Sequence, residues 1–405
     1  MNNEQCTIFA QTERSSQIHL DDAEVQPKIT QKRSGCVMND EQWRKVKLEE
    51  VGEINPSNKE PIHSQFVYID LESVVAGKLL VENHILRENA PSRAQRLVYY
   101  NDVLYQTVRP YQRNNYIHKK QGNYVASTGY ALIRCYDDYE PDFVYYLLHT
   151  HNFESIVLGL CTGTSYPAIA PNNLKRIKIS IPFKNNKPDL PAQRRIAAIL
   201  ASADKVIAAT QKTIAKYKQI KQGMMEDLLK PNDGWKMVKL GEGLVKNICT
   251  GKLDANAMVE GGAYRFYTCA KDYTFIDNYA FDDEALLISG NGEYVGYVHY
   301  YKGKFNAYQR TYVLRGFSID VNYLQCYLNM YLRDRIKKEM NAGSIPFIKM
   351  GTLTEMIICY PASLQEQKRM ASILNGIDSK IEVEQRVLNK YIQVKKGLME
   401  KLLND

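Results

Sequence analysis

No run of apolar residues approaches the roughly 20 needed to span a bilayer, and no apolar signal-peptide core opens the chain. The eight cysteines are scattered, with no Cys-x-x-Cys pair and no histidine at metal-ligand spacing. That pattern argues against a structural zinc site and a disulfide framework, and it fits a reducing cytoplasm. No metal site and no contact with a membrane are expected. The seven histidines are dispersed and form no Ser/His/Asp or Cys/His set. A Gly-x-x-x-x-Gly-Lys-Ser/Thr phosphate loop and an Asn/Asp-Pro-Pro-Phe/Tyr methyltransferase tetrad are both missing. Ser289-Gly-Asn-Gly-Glu-Tyr-Val-Gly296 is glycine-rich, but its spacing is wrong for a nucleotide loop and it reads as a turn between strands. A catalytic role is therefore not expected.

What is present organises the chain. With 405 residues, 44% of them hydrophobic, two or three globular units can bury cores of their own. A net charge of +8 suits a polyanionic partner but is spread thinly, and 29 tyrosines supply flat surfaces with polar tips. Residues 1–42 are polar and aperiodic and read as a flexible or partner-ordered tail.

A long repeat dominates the rest. Leu190–Leu229 and Leu364–Leu403 align without a gap, about 18 of 40 positions being identical. The shared positions include Gln193 with Gln367, Asp204 with Asp378, Tyr217 with Tyr391 and Gly223 with Gly397. Each copy carries a seam spaced alternately four and three residues apart, the mark of a coiled coil. The first seam includes Ile196, Leu200, Ile207, Ile214, Tyr217 and Leu228; the second includes Met370, Leu374, Ile381, Leu388, Tyr391 and Leu402. Thr210 with Glu384, and Lys221 with Lys395, interrupt the seams at matching places, where polar residues fix register. Asp189 and Ser363 are positioned to cap the two helices. A helix of 40 residues is about 60 Å long, too long to bury its seam in one small unit. Pairing of the two helices with each other, antiparallel, is the economical arrangement; two separate coiled coils meeting other proteins is the alternative. Glycine inside a helix costs about 1 kcal/mol, so Gly223 and Gly397 suggest close approach of another backbone or fraying near the helix end.

The only two tryptophans open a second, shorter repeat, Trp43-Arg-Lys-Val-Lys-Leu48 and Trp235-Lys-Met-Val-Lys-Leu240. Each starts a stretch of alternating apolar residues and turns, closed by a glycine turn (Gly163-Thr-Ser-Tyr-Pro-Ala168 and Gly343-Ser-Ile-Pro346) and a strand-like run. The fold class is α+β: two units of mixed strands and helices, separated by two long helices packed as an antiparallel coiled coil, with a pseudo-twofold relation. The boundaries are a tail at 1–42, a first unit at 43–187, a helix at 188–231, a second unit at 232–361 and a helix at 362–405.

From Trp43 onward this arrangement resembles the specificity subunits of Type I restriction–modification systems. Five ordered blocks in the first unit carry the likeness: Ala90-Pro-Ser-Arg-Ala94, Asn101-Asp-Val-Leu-Tyr-Gln-Thr-Val-Arg-Pro110, Ala126-Ser-Thr-Gly-Tyr130, Pro141-Asp-Phe-Val-Tyr-Tyr146 and Thr162-Gly-Thr-Ser-Tyr-Pro-Ala168. The second unit is similar to a different member of the same target-recognition family, through Ala285–Gly296, Lys302-Gly-Lys-Phe305 and Tyr308-Gln-Arg-Thr-Tyr-Val-Leu314. The resemblance implies a non-catalytic subunit that binds double-stranded DNA at an asymmetric two-part target with a fixed gap. It implies docking on two modification subunits, which methylate adenine with S-adenosylmethionine. It also implies association with restriction subunits that use ATP and Mg2+; no cofactor is implied for this chain itself. A methylation-only defence system would use the same fold, and a coiled-coil scaffold would use the same helices.

Affinity for a duplex comes largely from Lys and Arg at phosphates, and specificity from side chains on base edges. The candidates in the first unit are Arg93, Arg96, Arg109, Tyr111, Arg113, Lys119 and Lys120, in or beside expected loops, and Gln106 or Gln112 can pair with adenine. In the second they are Lys302, Lys304, Tyr308, Gln309 and Arg310, taken as one region. A solvated surface charge is the plain alternative for each.

Overall fold

The computed structural model describes residues 42–163, 165–339 and 347–403. By contacts the chain divides into Met1–Gln42 and Trp43–Asp405. The expected tail at 1–42 lies outside the described residues apart from Gln42, as does the whole Gly343–Pro346 turn.

Each tryptophan-led segment closes its own unit. Gln42–Lys47 joins Lys178–Lys184 in one sheet, and Lys236–Lys239 pairs antiparallel with Ile357–Tyr360. The first and last strands of each unit are thus neighbours, and the same bond extends both ladders: Leu48 N–H donates to Ile177 O at 2.9 Å, and Leu240 N–H to Met356 O at 2.8 Å. Between these boundaries the units differ. The first holds two four-stranded sheets, in the orders 83–86, 65–69, 124–127, 94–98 and 52–54, 130–135, 103–106, 116–117. The second holds one six-stranded sheet, ordered 245–250, 311–317, 281–289, 298–307, 264–267, 274–276, against the helix Val321–Glu339.

The two long helices are Leu190–Leu228 and Leu364–Leu402. Asp189 caps the first, accepting from Ala192 N–H at 3.0 Å, and Pro191 sits in the first turn, where its missing N–H costs nothing. Ser363 caps the second, accepting from Glu366 N–H at 3.4 Å. The helices run antiparallel, held by two equivalent ion pairs: Lys221 Nζ lies 2.7 Å from both Asp378 carboxylate oxygens, and Lys395 Nζ lies 2.6 Å from Asp204 Oδ1. Both lysines are the polar interruptions of the seams, and both aspartates are shared by the two repeats, so these contacts obey the pseudo-twofold relation. Thr210 is different: its hydroxyl turns back to Val206 O at 3.0 Å within its own helix. Along the seams Ile196, Leu200, Ile214, Met370, Leu374 and Leu388 are buried, while Ile207, Tyr217, Leu228, Ile381 and Leu402 are half-buried. Tyr391 is 39% exposed. Its spacing places it in the seam, but two helices cover only one side of a groove and a long ring with a polar tip reaches past it. A Cβ at Gly223 or Gly397 would meet nothing within 4 Å, so close backbone approach does not explain either glycine. Both lie inside continuous helix, and no contact in the structure accounts for them.

Gln193 and Gln367, also shared, do equivalent work at the helix starts. Buried Gln193 accepts from Glu140 N–H at 2.9 Å, ahead of the helix Pro141–Leu147; buried Gln367 accepts from Asp320 N–H at 2.8 Å, ahead of Val321–Glu339. Each long helix thereby satisfies an orphan donor of the shorter helix before it.

The far ends of the long helices cross over. Met225 and Leu229, ending the first, belong to the core of the second unit with Leu240, Leu324 and Leu374. Leu403, ending the second, lies in the core of the first unit with Leu48, Phe143 and Leu200, flanked by Leu398, Met399 and Leu402. Each core is therefore completed by the helix that follows the other unit.

The ion pairs lead to a first prediction. Each joins a lysine about one-quarter exposed to an aspartate a little over two-fifths exposed, so solvent screening keeps the contribution small. Double-mutant cycles should give roughly 0.5–1 kcal/mol of coupling for Lys221 with Asp378, and the same for Lys395 with Asp204, read from denaturation midpoints. Coupling at one pair only would break the proposed equivalence.

Candidate nucleic-acid interface

Three loops meet at one end of the first unit. The segment after the strand Val103–Gln106 begins at Thr107, whose hydroxyl donates to Gly129 O at 2.8 Å and whose carbonyl accepts from Ile169 N–H at 3.0 Å. Val108 bridges Ala168, and Arg109 N–H donates to Pro167 O at 2.8 Å. These bonds tie together the 107–113 loop, the turn at Thr128–Gly129 and the turn at 162–169. Gln106 is the brace: fully buried, it donates from Nε2 to Val108 O at 2.9 Å and to Gln112 Oε1 at 2.8 Å, and accepts from Asn114 N–H at 3.0 Å. Its hydrogen bonds are spent on the loop, so the expectation that Gln106 meets a base is corrected.

The second unit repeats this frame with other side chains. After the strand Phe281–Ser289, Gly290 O accepts from Ile348 N–H at 2.7 Å and Asn291 bridges Phe347, matching Thr107 with Ile169 and Val108 with Ala168. The next residue is left-handed in both units: Arg109 at φ +54° and Gly292 at φ +80°. Glycine takes that conformation freely, whereas a residue with a Cβ sits there at a cost of about 1 kcal/mol. The turn Tyr308–Arg310 occupies the place of Thr128–Gly129; Tyr308 N–H donates to Tyr267 O at 2.9 Å and Gln309 N–H to Leu253 O at 2.8 Å.

The candidate residues sort by what they already hold. Arg113 forms a forked ion pair with Glu154. Lys119 Nζ contacts Asp142 Oδ2 at 2.6 Å and Asn101 Oδ1 at 2.7 Å. Lys120 is bound to Glu82, and that hydrogen bond raises the lysine pKa and lowers the carboxyl pKa. Arg96 lies in the strand Ala94–Val98, not in a loop; it is half-buried, burial pulls its pKa down, and its Nε has no partner. Tyr111 is half-exposed on the single turn Pro110–Gln112. Arg93 and Arg109 come together with Gln112 around a cleft of 710 Å³. In the second unit the expected region divides. Lys302 and Lys304 point with Tyr300 from one strand face, opposite Glu284 and Asp282, and Lys304 Nζ stands 4.7 Å from the centre of the Tyr279 ring. Acidic neighbours offset that pair, while Gln309 and Arg310 are exposed on the loop end of the unit.

Two features went unread in the sequence. Tyr166, inside the glycine-turn block, is 65% exposed, and the Arg109 guanidinium lies 4.3 Å above its ring. An aromatic between a glycine and a proline in a turn was the available signal. Asp102, deep in the first unit, takes a forked ion pair from Arg134 at 2.9 and 2.7 Å, and burial raises its pKa despite that pair. Nearby His118 packs 4.3 Å from the Tyr124 ring; burial pushes its pKa down to about 4, leaving it neutral and unsuited to holding a phosphate. Among the described residues no group of three His, Cys, Asp or Glu side chains is placed to hold a metal ion, and no helix is long and apolar enough to cross a membrane.

Two units of mixed strands and helices share one pair of antiparallel helices, and comparison with known proteins gives that architecture a family. The family described as Type I restriction modification DNA specificity domain matches twice, at residues 40–219 and 232–392, and the chain belongs to that family. It is 40% identical over 172 residues to the Type I restriction enzyme EcoDI specificity subunit of Escherichia coli, covering 42% of this chain and only 37% of that protein. A putative type I specificity subunit of Mycoplasma genitalium, S.MgeORF438P, is 23% identical over 309 residues, covering 72% of this chain and 78% of its own. In fold the chain is similar to the crystal structure of a Type-I restriction-modification S subunit from M. genitalium, with a TM-score of 0.63 at 18% identity over 91% of this chain and 98% of that one. A chain from a structure describing assembly and conformational transition of the type I R-M system gives a TM-score of 0.56 at 21% identity, over 89% and 97%.

Proposed function

We propose that this chain is the non-catalytic, cytoplasmic DNA-reading subunit of a Type I complex, recognising an asymmetric two-part target with a fixed gap. One observation carries the reading: both units bring corresponding backbone positions to one end on the same frame, yet place different side chains there. Arg109 stands where Gly292 stands, and Thr128–Gly129 where Gln309–Arg310 stand. A shared frame with divergent contacts is what two readers of different short sequences require. Arg93, Arg109, Gln309 and Arg310 are the contacts we favour. Arg113, Lys119 and Lys120 are already paired, which suits them to shaping the surface.

The helices supply the spacing and the docking platform. Ile220 and Val394 occupy equivalent positions and are 40% and 56% exposed. Two equal apolar spots suit two copies of one partner, here the modification subunits that would bring S-adenosylmethionine; restriction subunits using ATP and Mg2+ would join that assembly. The test is a map of N6-methyladenine in DNA from cells expressing the chain with its modification partner. A two-part asymmetric motif with a constant gap is expected, and exchanging residues 235–360 for another such unit should alter one half-motif only. Unmodified DNA, or a continuous palindrome, would overturn the reading.

A further inference from the structure

Arg109 is held in an arrangement that its own unit does not use. Its backbone is left-handed, the conformation for which the second unit employs Gly292. Its guanidinium carbon lies 4.3 Å from the centre of the Tyr166 ring, over its face, and Nε is buried without a hydrogen-bond partner. Arg113, Lys119, Lys120 and Arg134 are all paired with carboxylates, whereas among the described residues Arg109 has none. A strained backbone, a stacked fork and an unsatisfied donor are retained together where a ligand completes the site.

The cleft indicates the chemistry of that ligand. Its walls include Arg93, Arg109, Gln112, Thr128, Tyr166 and Glu72. Gln112 Oε1 already accepts from Gln106, so its amide offers chiefly the Nε2 donors. Donors of Arg93, Arg109 and Gln112 therefore line one cleft, with the Glu72 carboxylate on the same walls to balance one of the two cations. The planar fork of a guanidinium suits a flat edge with two adjacent acceptors. In the major groove that edge is guanine, through O6 and N7; adenine presents a donor at one of the two places.

The geometry points to Arg109 as a specificity-determining residue that reads one guanine in the half-site of the first unit, with Tyr166 fixing the plane of its fork. This rests on the proposed function and adds the base and the residue. The experiment compares methylation maps for the wild-type chain, Arg109→Lys and Arg109→Gly, each expressed with the modification partner, together with the melting temperature of each complex. Lysine keeps the charge and loses the fork; glycine removes the side chain and relieves the backbone. Both variants should lose preference for guanine at one position by roughly 5- to 150-fold. The other positions of that half-motif, the second half-motif and the gap should persist. Arg109→Gly should melt no lower than wild type. A wild-type bipartite motif with no guanine in the affected half, or variants that keep it, would overturn the assignment and leave the proposed function standing. Loss of the whole half-motif with a lowered melting temperature would show that Arg109 merely supports the loop, and would also overturn it. Absence of any bipartite motif in wild type would instead defeat the functional reading itself.

Discussion

Deleting Ile207–Thr213 and the equivalent Ile381–Val387 together is expected to bring the two half-motifs closer by about three base pairs, with the bases of both halves unchanged. The segments lie between the two ion pairs, and each is one full seam repeat, so Lys221–Asp378 and Lys395–Asp204 can both re-form after the cut. Seven helical residues span about 10.5 Å, and the duplex rises about 3.4 Å per base pair. Three base pairs also turn the duplex by roughly 100°, given about 10.5 per turn, so the half-sites no longer face the loops squarely and methylation should be sparser. Deleting one segment alone should be worse, because the two clasps would then be out of step by about 10 Å and cannot both close. Methylation mapping of the double deletion decides the matter: an unchanged gap would mean the paired helices are not the ruler.

The second large effect lies at the end of the second helix. Leu403→Ala should cost about 2–4 kcal/mol, because Leu403 is 1% exposed and sits in a core built mainly from the first unit and the start of the first long helix. The loss should be local. Hydrogen exchange is expected to accelerate in the strands 103–106 and 130–135, while the six-stranded sheet of the second unit keeps its protection. Leu229→Ala, at the equivalent position in the opposite core, should show the reverse pattern. A loss below about 1 kcal/mol, or equal loosening of both units, would contradict the crossover of the helix ends.

These expectations mark where sequence reasoning stops. Seam spacing revealed the helices, and the matching interruptions at Lys221 and Lys395 marked positions of polar contact. The partners Asp378 and Asp204 were visible only as shared residues, since an antiparallel register cannot be read from one strand of the pair. Met225, Leu229 and Leu403 each stand one residue past a seam position, and the seam spacing does not say that they enter another core. At the recognition end, loop position drew attention to Arg109 and Arg113 alike. Which of them is free depends on Glu154, 41 residues beyond Arg113. Gln106 misled for a related reason: an amide suited to adenine is equally suited to bracing a loop, and only its complete burial separates the two uses.

The crossing of the helix ends also constrains how the protein is made. During translation the strands of the first unit emerge early and can form their sheets, but one wall of their core is missing until Leu398–Leu403 follows. The second unit waits less, because Met225 and Leu229 emerge ahead of its own strands and Met370, Ala371 and Leu374 follow shortly after them. Synthesis order and completion order are therefore reversed, the half made first being finished last. A prematurely terminated chain would carry a first unit with an open core, in place of a stably folded half.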